Sequence, residues 1–95
     1  MITSKQRAKL RAMANTLQPI FQIGKGKISD ELVSQLDAAL KARELIKITV
    51  LETADMTARE ASDALCGPLR AEPVQSIGRK VVLFRRNPDE PKIEL

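Results

Sequence analysis

Four consecutive residues, Gly24-Lys25-Gly26-Lys27, concentrate the chemistry of this 95-residue chain. Two ammonium groups set among residues without side-chain bulk can meet an anion, because glycine lets another backbone come close. Ile20, Phe21 and Ile23 precede them, a short apolar run opened by Pro19 that reads as a strand. Ser29 follows as a helix N-cap, and Asp30 and Glu31 suit the positive end of the helix dipole. Leu32, Val33, Leu36 and Leu40 then recur at helical spacing. The stretch is strand, basic loop, helix.

Three phosphate chemistries fit such a loop to different degrees. A P-loop needs G-x-x-x-x-G-K-[S/T], but Ile28 follows the last lysine and the spacing fails. A dinucleotide fingerprint needs glycine where Ser29 stands, and 95 residues leave little room for its sheet. The third is a loop that grips a nucleic-acid backbone, as the G-x-x-G loop of KH domains does. Asp30 and Glu31 already occupy the field of the helix N-terminus. Phosphate contacts are therefore expected from the Lys25 and Lys27 ammonium groups and from loop amides.

Charge is unevenly spread. Net charge is +4, yet residues 1–29 carry six cations and no acid, leaving the rest with ten basic and twelve acidic residues. Such asymmetry points to a polyanion on one surface, with a plain solvated face as the alternative. With no histidine and a single cysteine, Cys66, the usual zinc sites, histidine triads and internal disulfides are excluded. Neither catalysis nor a cofactor is expected, and no apolar run suits a membrane. The lone cysteine favours a reducing, cytoplasmic setting.

The remaining elements frame the loop. Thr3-Ser4-Lys5-Gln6 has capping-box form, so a helix starts near Ser4, with Leu10, Met13, Ala14 and Leu17 apolar and Pro19 as its stop. Lys5 and Lys9 form one stripe on it, and Arg7 and Arg11 another. Each like-charged pair four residues apart costs about 0.2–0.5 kcal/mol unless an anion binds. Leu45–Leu51 alternates as a half-buried strand, which makes residues 20–51 a parallel strand–helix–strand unit. Thr57-Ala58-Arg59-Glu60 opens a short helix to about Cys66, and Gly67-Pro68 reads as its stop. Val74–Ile77 and Val81–Phe84 read as a hairpin with Gly78-Arg79 as a II′ turn. Residues 87–95 read as an extended or loosely held tail on a single domain.

These residues resemble the CRM domain (chloroplast RNA splicing and ribosome maturation), most of all its stand-alone bacterial YhbY form. The resemblance rests on Leu17-Gln18-Pro19-Ile20-Phe21-Gln22-Ile23-Gly24-Lys25-Gly26, Ala42-Arg43-Glu44-Leu45-Ile46-Lys47-Ile48 and Val74-Gln75-Ser76-Ile77-Gly78. Val82-Leu83-Phe84-Arg85 and Lys92-Ile93-Glu94-Leu95 extend it across nearly the whole chain. It implies an α/β (α+β) fold: a helix, then βαβαββ, with a four-stranded mixed sheet like the C-terminal domain of bacterial initiation factor three. The family's G-x-x-G loop begins at Gly24, so its second glycine falls at position 27, here Lys27. Gly26 is expected to supply the flexibility instead, and Phe84 replaces the family's usual tyrosine on the last strand.

The resemblance implies RNA binding, with ribosomal RNA of large-subunit precursors as partner and ribosomal proteins as further neighbours, by a monomer. Expected RNA-binding residues are Gly24, Lys25, Gly26 and Lys27, then Lys5, Arg7, Lys9 and Arg11, with Arg79, Lys80 and Arg85 as outer contacts. Phe21 and Phe84 read as core rather than as stacking platforms, so phosphate and shape dominate. The alternative is an adaptor that docks on a ribosomal protein or a GTPase without touching RNA.

Overall fold

A computed structural model describes residues 2–95. Helix α1 (Ser4–Ala14) starts on a complete capping box: the Gln6 amide donates to the Thr3 hydroxyl, and the Thr3 amide donates to Gln6 Oε1. Strand β1 (Phe21–Ile23), helix α2 (Asp30–Arg43) and strand β2 (Leu45–Val50) follow. After a 3-10 turn at Glu52–Ala54 come helix α3 (Ala58–Leu69) and strands β3 (Glu72–Ile77) and β4 (Lys80–Phe84). The sheet has order β1-β2-β4-β3, with β1 parallel to β2 and the other two pairings antiparallel. The expected mixed α+β fold is present.

Both faces of the central strands are covered. Alternation sends Ile46, Ile48 and Val50 of β2, with Val81 and Leu83 of β4, toward Leu36 and Leu40 of α2 and Leu65 and Leu69 of α3. Leu45, Val82 and Phe84 point the other way, with Val74 of β3, against Leu10 and Ala14 of α1. The molecule is therefore three layers: α1, sheet, and the α2–α3 pair. Phe84 is core, and Phe21 packs partly buried against the α2–α3 side.

Three boundaries differ from the sequence reading. Helix α1 ends at Ala14 rather than at Pro19. The Lys47 ammonium, projecting from mid-strand, accepts no helix continuation there: it donates to the carbonyls of Ala14 (3.0 Å) and Leu17 (3.4 Å). Helix α3 runs through Gly67-Pro68 to Leu69, because proline removes only one helix donor and buried Leu69 anchors the final turn. Arg70, at φ 55°, caps that helix in the left-handed region usually given to glycine. Strand β3 begins at Glu72, with an irregular register between Pro73 and Gln75. The hairpin turn is as expected in type: Ile77 pairs with Lys80, Gly78 has φ +56°, and Arg79 does not share its positive φ.

The C-terminal segment forms no helix or strand, but it is tied down. Glu44, 0% exposed and at φ 65°, lies where α2 turns into β2. Its carboxylate accepts backbone N–H bonds from Asn87 (2.7 Å), Lys92 and Ile93 (2.7 Å). Ile93 and Leu95 then pack against the α1 side of the core. Burial alone would raise the Glu44 pKa. The three amides, with the Arg86 charge nearby, outweigh it and hold the carboxyl below its ordinary 4.5. A lowered folded pKa means the stabilisation is complete above about pH 4.5 and fades as pH falls through the folded value. Glu44→Gln should thus lower stability at pH 7 by about 1–3 kcal/mol in chemical denaturation, because its NH2 group faces donors. The gap from wild type should shrink as pH falls below 4.5; equal stability at pH 7 would show that the carboxylate holds nothing.

Candidate nucleic-acid interface

The loop that follows β1 is a tight turn: the Lys27 amide donates to the Gly24 carbonyl at 2.8 Å, with Lys25 and Gly26 at the tip. Lys25, Gly26 and Lys27 are all exposed, and neither ammonium has a hydrogen-bond or ion-pair partner among the described residues. The expectation that Gly26 supplies the unusual backbone is corrected. Of the four glycines only Gly78 has positive φ, whereas Lys27 itself sits at φ 55°. A Cβ at Gly26 would meet nothing within 4 Å, so the space beside it is open to an approaching chain. At Gly24 a Cβ would make ordinary contact with Thr53 Oγ1 (3.4 Å) and Leu51 Cδ1 (3.5 Å), so this end of the loop lies against the exit of β2.

Behind the loop, α2 begins as expected on Ser29, whose hydroxyl accepts from the Leu32 amide at 3.1 Å. Asp30 and Glu31 stand in its first turn, so the positive end of that helix is already answered. The lysines, not the helix end, are the free positive groups.

Two further cations reach the same rim of the sheet. Consecutive β2-side amides bind both neighbours there: Val50 donates to the Arg79 carbonyl (2.7 Å) and Leu51 to the Ile23 carbonyl (2.8 Å). Strands lie about 4.8 Å apart, so the basic loop and the Gly78-Arg79 turn flank β2 at roughly twice that spacing. Arg79 Nη1 donates to the Met56 carbonyl at 3.3 Å, leaving its other donors available, and Lys80 is half-buried at the start of β4. Arg85 stands apart. It follows β4 at the opposite rim, where its guanidinium binds Asp37 Oδ1 (2.7 Å), the Asp37 carbonyl (2.9 Å) and the Leu69 carbonyl (2.9 Å). These contacts clamp β4 to α2 and α3.

Helix α1 spreads four cations over one outer layer. Lys5, Lys9 and Arg11 are exposed, and Arg7 is half-buried. The two stripes take different neighbours: Arg7 Nε donates to the Pro73 carbonyl (3.0 Å), while Lys9 Nζ donates to the Glu94 carbonyl. Both neighbours are neutral carbonyls, so the positive charge is retained. Several acids stand on the other layer, Asp30, Glu31 and Asp37 on α2 and Glu60 on α3, but Asp63 of α3 shares a concavity with Arg7, and Glu72 and Glu94 lie near α1 as well. Sequence reasoning missed Lys47, whose one signal was a cation between apolar strand neighbours.

Other chemistries find little support. Burial pushes the Cys66 thiol up, Asp63 and Glu72 add to that, and the Ser62 hydroxyl at 3.9 Å opposes it only in part. Among the described residues no group of three or more His, Cys, Asp or Glu is placed to hold a metal ion. No helix among them is long and apolar enough to cross a membrane.

Comparison with known proteins identifies the family. The family model for the CRS1 / YhbY (CRM) domain matches residues 2–85. "Probable RNA-binding protein YqeI" of Bacillus subtilis is 41% identical over 95 residues, covering 100% of this chain and 99% of that protein. A Haemophilus influenzae protein named "RNA-binding protein" is 30% identical over 94 residues, covering 99% and 94% of the two chains. The solution structure of a hypothetical Staphylococcus aureus protein, proposed to bind RNA, matches at TM-score 0.80 and 38% identity, covering 100% and 99%. On its sequence across residues 2–85 and on its helix-capped mixed sheet, this chain belongs to the CRS1/YhbY (CRM) domain family.

Proposed function

We propose that this protein binds structured RNA through the phosphate backbone, and that its target is ribosomal RNA in precursors of the large ribosomal subunit. The observation that carries the reading is an acid-free helix α1 together with an exposed loop bearing two unpaired lysines, in a chain whose relatives bear RNA-binding names. Lys25 and Lys27 contact phosphates, open space at Gly26 admits the strand, and the α1 cations extend the track. Base stacking contributes little, because there is no tryptophan or tyrosine and Phe84 is buried. Binding then depends on phosphate and shape.

Lys27 supports the same reading through its backbone. A non-glycine residue in the left-handed region costs about 1–2 kcal/mol, and such positions gather at functional sites. The ammonium offsets none of this inside the protein.

With four to six phosphate contacts, binding to protein-free ribosomal RNA should show a log–log salt slope of about −3 to −5. Lys25→Ala combined with Lys27→Ala should weaken all RNAs alike and make the slope shallower by about two, with melting temperature little changed. A slope near zero, or co-sedimentation with ribosome precursors without affinity for free RNA, would favour the adaptor alternative instead. Lys27→Gly should split the two properties: RNA affinity falls, while stability rises by about 0.5–1 kcal/mol. A fall in both would mean that Lys27 serves the fold.

A further inference from the structure

The rim of the sheet opposite the lysine loop carries a second group of cations. Arg70, Arg85 and Arg86 line a concavity together with Phe84, Leu95 and Gln6 of α1. Arg85 is spent on Asp37 and the Leu69 carbonyl. Arg70 and Arg86 are exposed, and neither guanidinium has a hydrogen-bond or ion-pair partner among the described residues. Glu72 is the acid of this wall. The charge of Arg86 favours ionised Glu44, but both oxygens of that carboxylate are occupied by backbone amides.

Arg70 repeats the situation of Lys27. It has φ 55° at the end of α3, where glycine would close the helix without strain. Its backbone N–H serves the cap by donating to the Cys66 and Gly67 carbonyls, which any residue's amide could do. Among the described residues four non-glycines have positive φ, and one of them, Asp55, closes the 3-10 turn with a residue type that tolerates that conformation. Glu44 has a carboxylate bound three times within the fold, whereas Lys27 and Arg70 hold unpaired cations at opposite rims. An unpaired, exposed guanidinium suits a phosphodiester, since its planar fork binds two phosphate oxygens at once.

We propose that Arg70 and Arg86 form a second phosphate-binding point for the RNA backbone, at the rim opposite the Gly24–Lys27 loop and next to the start of α1. The proposal rests on the RNA-binding reading above and gives it a footprint anchored at both ends of the sheet. The binding track then reaches both rims of the sheet rather than ending at the lysine loop.

The test uses the full chain and fluorescence anisotropy on a labelled ribosomal RNA hairpin across a salt series. Arg70→Gly and Arg86→Gln should each weaken binding several-fold and make the salt slope shallower by about one. Arg70→Gly should melt at the same or a higher temperature, because glycine relieves the cap. Wild-type affinity and slope in both variants would overturn the proposal, as would affinity losses matched in both by losses of melting temperature. If wild type binds and only the Lys25 and Lys27 substitutions weaken it, the second point falls while the RNA reading stands. If wild type binds no RNA, the RNA reading falls first.

Discussion

One four-stranded sheet with two apolar faces must be covered twice by a short chain, and that requirement decides where the charges go. Ile46, Ile48, Val81 and Leu83 need the α2–α3 layer, while Leu45, Val82 and Phe84 need α1. Fully burying one large aliphatic side chain contributes about 1.5–3 kcal/mol, far more than an exposed ion pair. Leu10 and Ala14 therefore fix how α1 lies, and its cations follow passively to the outside. The acids of α2 are carried to the other layer by the same logic, while Asp63 of α3 stays within reach of Arg7 around the edge of β3. The placing of the α1 cations is thus a product of hydrophobic registry.

Backbone strain divides into two kinds in this fold. At Glu44 it serves the interior: the positive φ turns the chain from α2 into β2 and aims a buried carboxylate at three amides of the C-terminal segment. At Lys27 and Arg70 the side chain finds nothing within the protein to bind. Sequences usually obey local rules except where function overrides them. Asp55 tolerates its positive φ and Glu44 binds within the fold, which leaves Lys27 and Arg70 as the two cations standing where glycine would cost less.

Much of the fold was legible because its signals are local. Both capping boxes, the Ser29 cap, the alternation of Leu45–Val50 and the Gly78 turn each declare themselves within a few residues. The identity of the loop residues as exposed cations was legible for the same reason. What escaped depends on distant partners. Nothing near Glu44 in sequence shows that its carboxylate meets amides 43, 48 and 49 residues away. Pro68 looks like a stop until Leu69 is seen to anchor the turn beyond it. Arg85 reads as one more basic residue until Asp37, 48 positions earlier, claims its guanidinium. The left-handed backbone at Lys27 and Arg70 was likewise hidden, since residue type argued against it.

The central claim is that RNA lies over α1 and the two cation-bearing rims and leaves the outer surface of α2 and α3 bare. Amide chemical-shift mapping of the full chain during titration with a ribosomal RNA hairpin tests it most directly. The account predicts shifts concentrated in residues 4–14 and 24–27 and around Arg70 and Arg86, with little change on the solvent side of α2 and α3. A footprint centred on those two helices, with α1 and the lysine loop unmoved, would contradict it.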